Sequence, residues 1–245
     1  MTAGGDDVGK YLLVDDNEAF AENVAEILRE DGHEVATSSS GEEALGRVKA
    51  DRYDVLITDM KMPVMGGARL VHELRRVDPG MPVIVITAYS GDEDLKVARS
   101  EGLLAILSKP PNLPRLRDLL KVARRDGLVA LIEDDEALSD NLSEVFRAHG
   151  FTAVQAASVL EAEKLPSVRP FAAVADLRVP GGPDGEAMRR LVMRYPGLPV
   201  VVITGHPDVE PPRENAGLFR KPFAPQLLME RLVELHASRP KAAAT

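Results

Sequence analysis

The sequence contains no cysteine and no tryptophan, and aromatic residues make up only 4% of its 245 positions. Without cysteine, the chain cannot form a disulfide framework, a thiolate nucleophile or a cysteine-ligated zinc site. No apolar run approaches the roughly 20 residues that cross a membrane, and the small, acidic N-terminus does not have the pattern of a signal peptide. We therefore expect a cytoplasmic protein that does not associate with a membrane.

Positive charge is also in deficit. The net charge is −9, with 17 Lys/Arg against 22 Asp/Glu in residues 1–125 and 13 against 17 in residues 126–245. A nucleic-acid surface needs clustered basic residues, and a base-stacking platform needs aromatic side chains. We therefore expect no nucleic-acid partner.

One sparse set of polar landmarks occurs twice, about 118 positions apart. Each copy has an acidic pair, a later aspartate, a threonine and a Lys-Pro step. These are Asp15-Asp16, Asp59, Thr87 and Lys109-Pro110 in the first copy, and Glu133-Asp134, Asp176, Thr204 and Lys221-Pro222 in the second. Because the length suits two ordinary domains, the repeat predicts one domain over 8–125 and a second over 126–238. The segments 1–7 and 239–245 are then short tails.

Each half alternates short apolar runs with helical hydrophobic patterns. In the first half we predict strands at Tyr11–Val14, Val35-Ala36, Val55–Thr58, Pro82–Thr87 and Leu104–Leu107, and helices at Glu18–Arg29, Glu42–Lys49, Ala68–Val77, Asp92–Ser100 and Leu113–Arg125. In the second half we predict strands at Leu128–Ile132, Thr152–Val154, Ala172–Ala175, Val200–Thr204 and Leu218–Arg220, and helices at Ala137–Ala148, Val159–Lys164, Glu186–Arg194 and Pro225–His236. This alternation indicates an α/β fold in which each half is a doubly wound, parallel five-stranded sheet with helices on both faces.

The second half has little room for a helix between its fourth and fifth strands. Pro207, Pro211 and Pro212 lie there, and a proline inside a helix costs about 3 kcal/mol or more. The threonine and the lysine are 17 positions apart in this half and 22 apart in the first. We therefore expect this helix to be reduced or absent in the second domain.

The repeated residues fall at the carboxyl ends of strands, where parallel sheets collect functional side chains. Asp15-Asp16 follow the first strand, Asp59 the third, Thr87 the fourth and Lys109 the fifth. Carboxylates that converge repel one another, and a hard divalent cation such as Mg²⁺ relieves that repulsion. An aspartate can accept a phosphoryl group covalently, and a lysine and a hydroxyl beside it can stabilise the transferred charge. The set therefore predicts a Mg²⁺-dependent phosphoryl site.

These residues resemble the receiver domain of two-component response regulators, twice and over nearly the whole chain. The resemblance rests on Asp15, Asp16, Asp59, Met62-Pro63, Gly67, Thr87, Ala88 and Lys109-Pro110, and then on Glu133, Asp134, Asp176, Thr204, Gly205 and Lys221-Pro222. It implies the flavodoxin-like, CheY-like (βα)5 fold. It also implies self-catalysed phosphoryl transfer and autodephosphorylation rather than an enzyme acting on other substrates.

The resemblance implies a role for each of these residues. The phosphoacceptors are Asp59 and Asp176. The Mg²⁺ ligands are Asp15, Asp16, Asp59 and the backbone carbonyl of Lys61 in the first half, and Glu133, Asp134, Asp176 and the backbone carbonyl of Arg178 in the second. The residues that bind the phosphoryl group or give access to it are Thr87, Ala88, Lys109, Thr204, Gly205 and Lys221. The Lys109-Pro110 peptide bond is expected to be cis.

Both halves depart from the family at the aromatic residue that usually lies three positions before the lysine. Ile106 and Leu218 hold those positions, with Phe219 one place late and Tyr89 in a different loop. The usual coupling of the threonine to an aromatic residue is therefore not predicted in either half.

The second half also departs in the loop after its acceptor. Gly185 lies nine positions after Asp176, through Gly181-Gly182-Pro183-Asp184, whereas Gly67 lies eight after Asp59. This loop could misplace the acceptor or block its donor, so we expect a divergent second domain.

We interpret the chain as a stand-alone tandem-receiver response regulator without an attached output domain. A histidine kinase or a histidine phosphotransfer protein would phosphorylate Asp59, with Asp176 as a second acceptor. The modification would change domain–domain contacts, a homodimer contact or binding to a downstream protein. Two alternatives stay open for the function, namely a non-phosphorylated binding scaffold or adaptor, and a phosphate sink that competes for a shared kinase. A third possibility is that the sequence is the front part of a longer protein.

Overall fold

Two five-stranded parallel sheets organise the chain. The computed structural model describes residues 8–88, 98, 101–165, 169–206 and 216–239, and the chain divides into two compact units, Met1–Asp126 and Gly127–Thr245. In the first unit the strands are β1 Lys10–Val14, β2 Glu34–Ser38, β3 Val55–Thr58, β4 Val83–Thr87 and β5 Ala105–Ser108, and the helices are α1 Glu18–Glu30, α2 Gly41–Ala50, α3 Gly67–Val77 and α4 Leu113–Val122.

The second unit repeats this order of elements. Its strands are β6 Leu128–Ile132, β7 Thr152–Ala156, β8 Ala172–Asp176, β9 Val200–Thr204 and β10 Gly217–Arg220, and its helices are α5 Glu136–Ala148, α6 Val159–Lys164, α7 Glu186–Arg194 and α8 Pro225–Ala237. Among the described residues, none of the helices is long and apolar enough to cross a bilayer.

The order of the strands places β1 and β3, which end at the acidic residues, side by side. The first sheet runs β2-β1-β3-β4-β5 and the second, read in the same sense, runs β7-β6-β8-β9-β10. After β1 the chain crosses to β2 on one side and then to β3 on the other, so β1 and β3 flank the switch point where α/β sheets bind ligands. The predicted α/β doubly wound fold is confirmed.

Each sheet is covered by apolar side chains on both faces. Leu12 and Leu56 pack with α2 and α3 on one face, whereas Leu13 and Ile57 pack with α1 and α4 on the other. Alternate residues along a strand point to opposite faces, so these strands need apolar residues at every position. That requirement explains the uninterrupted apolar runs seen in the sequence.

The last helix of the first unit is shorter than predicted. The pattern predicts a helix to Arg125, but α4 ends at Val122. The Arg125 guanidinium turns back into the unit, where it forms a 2.6 Å ion pair with Asp78 and donates to the carbonyl oxygen of Tyr53. Asp126 then adopts a left-handed conformation with φ of 56° and donates its N–H to Gly80 at 2.7 Å. Tertiary contacts therefore end the helix before its sequence pattern does.

Several predictions fall on segments outside the described residues. The helix predicted at Asp92–Ser100 is one of them, apart from Ala98, which is helical and buried. The reduced helix predicted around Pro207, Pro211 and Pro212 is another. The predicted tails also lie outside, except for Arg239, whose guanidinium carbon lies 4.9 Å from the centre of the Phe171 ring.

Candidate functional site

Three carboxylates meet at the carboxyl edge of the first sheet. Asp15 follows β1, Asp59 follows β3, and Asp16 lies beside them. One carboxylate oxygen from each lies within 4.8 Å of the others. Asp15 and Asp59 are buried, whereas Asp16 is exposed. The structure therefore brings together the acidic residues that the sequence separates by more than 40 positions, and leaves one side of the cluster open to solvent.

Lys109 completes this cluster from the end of β5. Its ammonium nitrogen lies 2.6 Å from Asp59 Oδ2 and 2.6 Å from Asp15 Oδ2. Burial lowers the pKa of Lys109, but the hydrogen bonds to Asp15 and Asp59 outweigh burial and leave the pKa above its ordinary value. The backbone N–H of Lys109 donates to the Thr87 carbonyl oxygen at 3.0 Å. The Lys109-Pro110 peptide bond is cis, as predicted. A permanent positive charge is therefore fixed between two of the acids.

The acids outnumber this cation. Burial raises the pKa of Asp15, while Lys109 and the N–H of Asn17, which donates to Asp15 Oδ1 at 3.0 Å, oppose the rise. Asp59 Oδ1 accepts the N–H of Met60 at 2.6 Å. Three carboxylates and one ammonium leave a net charge of −2 when all are ionised. That surplus of oxygen ligands and negative charge fits a divalent cation.

The remaining residues assigned to the first site follow β3 or lie at the end of β4. Thr87 ends β4 and is buried, Ala88 follows it and is exposed, and Lys61 is exposed in the loop after Asp59. At Gly67, where α3 begins, a Cβ atom would lie 2.3 Å from the Asp59 carbonyl oxygen. Glycine is needed there because the helix starts against the backbone of Asp59.

The second unit reproduces the same geometry. Oxygens of Glu133, Asp134 and Asp176 lie within 4.8 Å of one another, and Lys221 Nζ lies 2.6 Å from Glu133 and 2.7 Å from Asp176. Burial raises the pKa of Glu133, and Lys221 opposes the rise. Thr204 is buried at the end of β9. A glutamate can therefore replace the first aspartate of the pair without loss of the lysine contact.

The surroundings of the second site differ from those of the first. Arg178 Nε lies 3.1 Å from an Asp184 oxygen, and Arg178 Nη1 donates to His206 Nδ1 at 3.0 Å. The His206 N–H donates in turn to Thr204 Oγ1 at 3.1 Å. The resemblance assigns only the backbone carbonyl of Arg178, whereas its side chain joins the loops that follow β8 and β9. Asp184 lies directly before Gly185, in the loop that is one residue longer than its counterpart in the first unit.

Small residues and displaced aromatic residues mark the other assigned positions. Gly205 is exposed, and a Cβ atom there would lie 4.0 Å from the Lys221 side chain. Leu218, at the usual aromatic position, is partly exposed. Phe219 packs against the core instead, with its ring centre 5.8 Å from that of Phe223. Tyr89 lies outside the described residues. Phe219 therefore contacts the core, whereas the usual aromatic position is held by Leu218.

Sequence reasoning missed one neighbour of the first site. The ring centre of Phe20 lies 4.8 Å from Lys109 Nζ. Phe20 lies in the first turn of α1, which begins at Glu18 directly after the acidic pair and the N-cap Asn17. Its place in that first turn is the signal that could have placed it beside the acidic pair.

Comparisons with known proteins give the class. The receiver domain of response regulators matches residues 11–121. A response regulator receiver protein of Anaeromyxobacter sp. (strain Fw109-5) is 57% identical over 230 residues, which cover 94% of this chain and 96% of that protein. The chain belongs to the response regulator receiver family of two-component signalling.

Other relatives share a shorter region. The transcriptional regulatory protein GlrR of Escherichia coli (strain K12) is 36% identical over 99 residues, which cover 40% of this chain and 22% of GlrR. The receiver domain of sensor histidine kinase PA1611 from Pseudomonas aeruginosa PAO1 was solved with a magnesium ion in its active-site cleft. It is 27% identical, covers 46% of this chain and 95% of its own, and superposes with a TM-score of 0.44.

Proposed function

We propose that Asp59 accepts a phosphoryl group in a Mg²⁺-dependent reaction that the receiver domain itself catalyses. The observation that carries this proposal is the ammonium of Lys109, held 2.6 Å from both Asp15 and Asp59 within a three-carboxylate cluster. The donor is a phosphohistidine on a histidine kinase or a histidine phosphotransfer protein. The setting is the cytoplasm, where such donors meet response regulators.

The residues present fit a magnesium ion. Asp15, Asp16 and Asp59 would hold it through their converging oxygens, and the backbone carbonyl of Lys61 would be a fourth protein ligand. Mg²⁺ prefers few protein oxygens and keeps several waters, which suits a cluster with one exposed acid. When bound, the ion neutralises charge on the acceptor and on the phosphoryl oxygens.

Each side chain around Asp59 has a separate role in the proposed phosphoryl transfer. An Asp59 oxygen attacks phosphorus, the bond from phosphorus to the donor nitrogen breaks, and the electron pair leaves with the imidazole. Lys109 neutralises the transferred group, and the Thr87 hydroxyl donates to one of its oxygens. Exposed Ala88 leaves the acceptor accessible. Phosphorylation adds about −1.5 to −2 of charge at neutral pH, which then biases contacts between the domains, in a homodimer or with a downstream protein.

We further propose that residues 8–125 and 126–238 are two receiver domains with unequal sites. Lys221 bridges Glu133 and Asp176 as Lys109 bridges its two acids, which supports Asp176 as a second acceptor with the backbone carbonyl of Arg178 as a metal ligand. The contacts of the Arg178 side chain with Asp184 and His206 support slower entry of a donor at this site.

Phosphoryl labelling of the full chain tests the assignment. The protein is incubated with Mg²⁺ and labelled acetyl phosphate, and the acyl phosphate is counted by intact mass in wild type, Asp59→Ala, Asp176→Ala and the double variant. Asp118→Ala, which removes an exposed aspartate on α4, is the matched control. We expect Asp59→Ala to lose the faster-forming label, Asp176→Ala to lose the slower one and the control to lose neither.

Other patterns would favour the alternatives. Full labelling of Asp59→Ala with none in Asp176→Ala would overturn the assignment of Asp59. No label in wild type would support a binding scaffold or adaptor. Equal transfer to both acceptors from one kinase, without a change in sedimentation, would support a phosphate sink.

A further inference from the structure

The ammonium of Lys109 has a third neighbour beyond its two carboxylates. It lies 4.8 Å from the centre of the Phe20 ring, within the ~6 Å range over which an aromatic face attracts a cation. It also lies 2.6 Å from Asp15 and 2.6 Å from Asp59. The cation is therefore confined by two acids and one aromatic ring.

Phe20 is held in place by residues of the site itself. Asn17 is the N-cap of α1, and its side-chain oxygen accepts the Phe20 N–H at 3.1 Å. The Asn17 N–H donates to Asp15 at 3.0 Å. The contacts therefore run from Asp15 through Asn17 to Phe20, then to Lys109, and return to Asp15. The backbone of Phe20 is thus anchored to the loop that carries Asp15, and its ring lies where it can position the cation.

The second unit has the same cap without the ring. Asp135 is the N-cap of α5, and its side chain accepts the N–H of Leu138 at 3.1 Å. Leu138 therefore occupies the position of Phe20, while Lys221 keeps both of its acidic partners. An alkyl side chain has no π-system to attract a cation. The two sites thus share the lysine but differ in what can hold it.

We propose that Phe20 is a positioning residue for phosphoryl transfer, which holds the Lys109 ammonium where it neutralises the phosphoryl group on Asp59. This inference rests on the proposed function of Asp59 as the acceptor. A partly exposed cation–π contact changes an equilibrium constant by about two- to fivefold. Its loss should weaken binding of a phosphoryl analogue by that factor.

Stepwise fluorination of the ring separates electrostatics from shape. The full chain carries Asp176→Ala so that only Asp59 is available, and phenylalanine analogues with one, two and three fluorines replace Phe20. Each fluorine weakens the negative face of the ring and changes its shape little. We expect the Kd for beryllofluoride with Mg²⁺, measured by fluorine NMR, to rise stepwise to about two- to fivefold above wild type. Phe20→Leu should give a similar rise, and Phe20→Tyr should stay near wild type.

A Kd that does not change with the number of fluorines on Phe20 would overturn the inference. If fluorination leaves Kd unchanged while Phe20→Leu raises it, the ring acts by shape alone. If the unsubstituted Asp176→Ala protein binds no beryllofluoride, the function proposed for Asp59 fails and this inference fails with it. The reciprocal Leu138→Phe, tested in an Asp59→Ala background, should tighten binding at Asp176 by the same factor.

The contact itself has a readout that needs no phosphoryl analogue. Protons above an aromatic face shift upfield, so the ε-methylene protons of Lys109 should be shifted in wild type. The shift should disappear in Phe20→Leu and persist in Phe20→Tyr. If wild type and Phe20→Leu give the same Lys109 shifts, the ring does not hold the lysine.

Discussion

Replacing Arg75 with methionine should lower the free energy of unfolding of the first unit by about 3–5 kcal/mol. Arg75 lies in the last turn of α3, yet its side chain is buried. It donates to backbone carbonyls on both sides of β4, namely Met81 at 2.7 Å, Glu101 at 2.8 Å and Gly102 at 2.7 Å. One guanidinium therefore connects α3 to the segments that enter β4 and β5.

The magnitude follows from these three hydrogen bonds. A hydrogen bond that involves a charged group contributes about 1.5–3 kcal/mol, and part of that sum is lost to the desolvation of the guanidinium. Burial lowers the pKa of Arg75 to about 10, so the group stays charged at neutral pH. The loss should therefore be the same at every pH between 6 and 9. Methionine keeps the apolar stem but leaves the three carbonyls without this donor.

Hydrogen exchange in increasing urea, read by mass spectrometry on separate peptides, measures each unit within the full chain. Arg76→Met is the matched control, because its side chain is 70% exposed and its guanidinium lies 3.8 Å from Glu73. We expect the control to change stability by less than about 0.5 kcal/mol. If Arg75→Met matches the control, other groups satisfy the carbonyls and the reasoning fails.

The second unit offers an internal comparison for this prediction. Its equivalent of Arg75, three positions before Tyr195-Pro196-Gly197, is Val192, which packs against the core. The path from threonine to lysine is five positions shorter there. Arg75 therefore accompanies the longer connection, and peptides from the second unit should be unaffected by its replacement.

Three further predictions concern metal, pH and the acceptor loop. Mg²⁺ at a hundredfold excess over its Kd should stabilise the first unit by about 2.7 kcal/mol, and Asp16→Asn should remove much of this gain in thermal unfolding. Burial raises the pKa of Tyr11 to about 12. The stability that the neutral Tyr11 hydroxyl contributes is therefore complete below pH 10 and is lost as the pH rises towards 12. Tyr11→Phe should reduce the fall in the urea midpoint of unfolding between pH 9 and 11.5. Gly67→Ala should cost at least about 2 kcal/mol and abolish labelling of Asp59, because its Cβ would lie 2.3 Å from the acceptor carbonyl. The control Gly46→Ala, inside α2 with no heavy atom within 4 Å of its Cβ, should gain about 0.5–1 kcal/mol.

The local sequence pattern was sufficient to predict strands and their ends where a single physical requirement determines the structure. The strands Val55–Thr58 and Val200–Thr204 match their predicted bounds, because a strand buried on both faces must be apolar throughout. The acids at the strand ends could be placed together because parallel strands bring their carboxyl ends to one edge. No tertiary information was needed for either conclusion.

The sequence pattern gave the wrong prediction, or none, where contacts between distant residues determine the structure. Arg125 continues the helical pattern of α4, but its ion pair with Asp78 takes it out of the helix. From the sequence, Arg75 would be predicted to be a solvated residue near a helix C-terminus. Only the fold shows that its guanidinium donates to the carbonyls of Met81, Glu101 and Gly102. The Arg178 side chain and Phe20 were missed for the same reason, because their partners come from other loops.

The contacts of Arg125 fix the place where the chain leaves the first unit. Arg125 and Asp126 are tied to Tyr53 and Gly80, which precede β3 and β4, whereas Asp59 follows β3. At about 3.3 Å per residue, the six positions from Tyr53 to Asp59 span about 20 Å. The chain thus leaves this unit at the opposite end of its sheet from Asp59, with the buried strand β3 between them. A phosphoryl group on Asp59, as proposed above, would therefore add its charge about 20 Å along the strand from the contacts that hold Arg125 and Asp126.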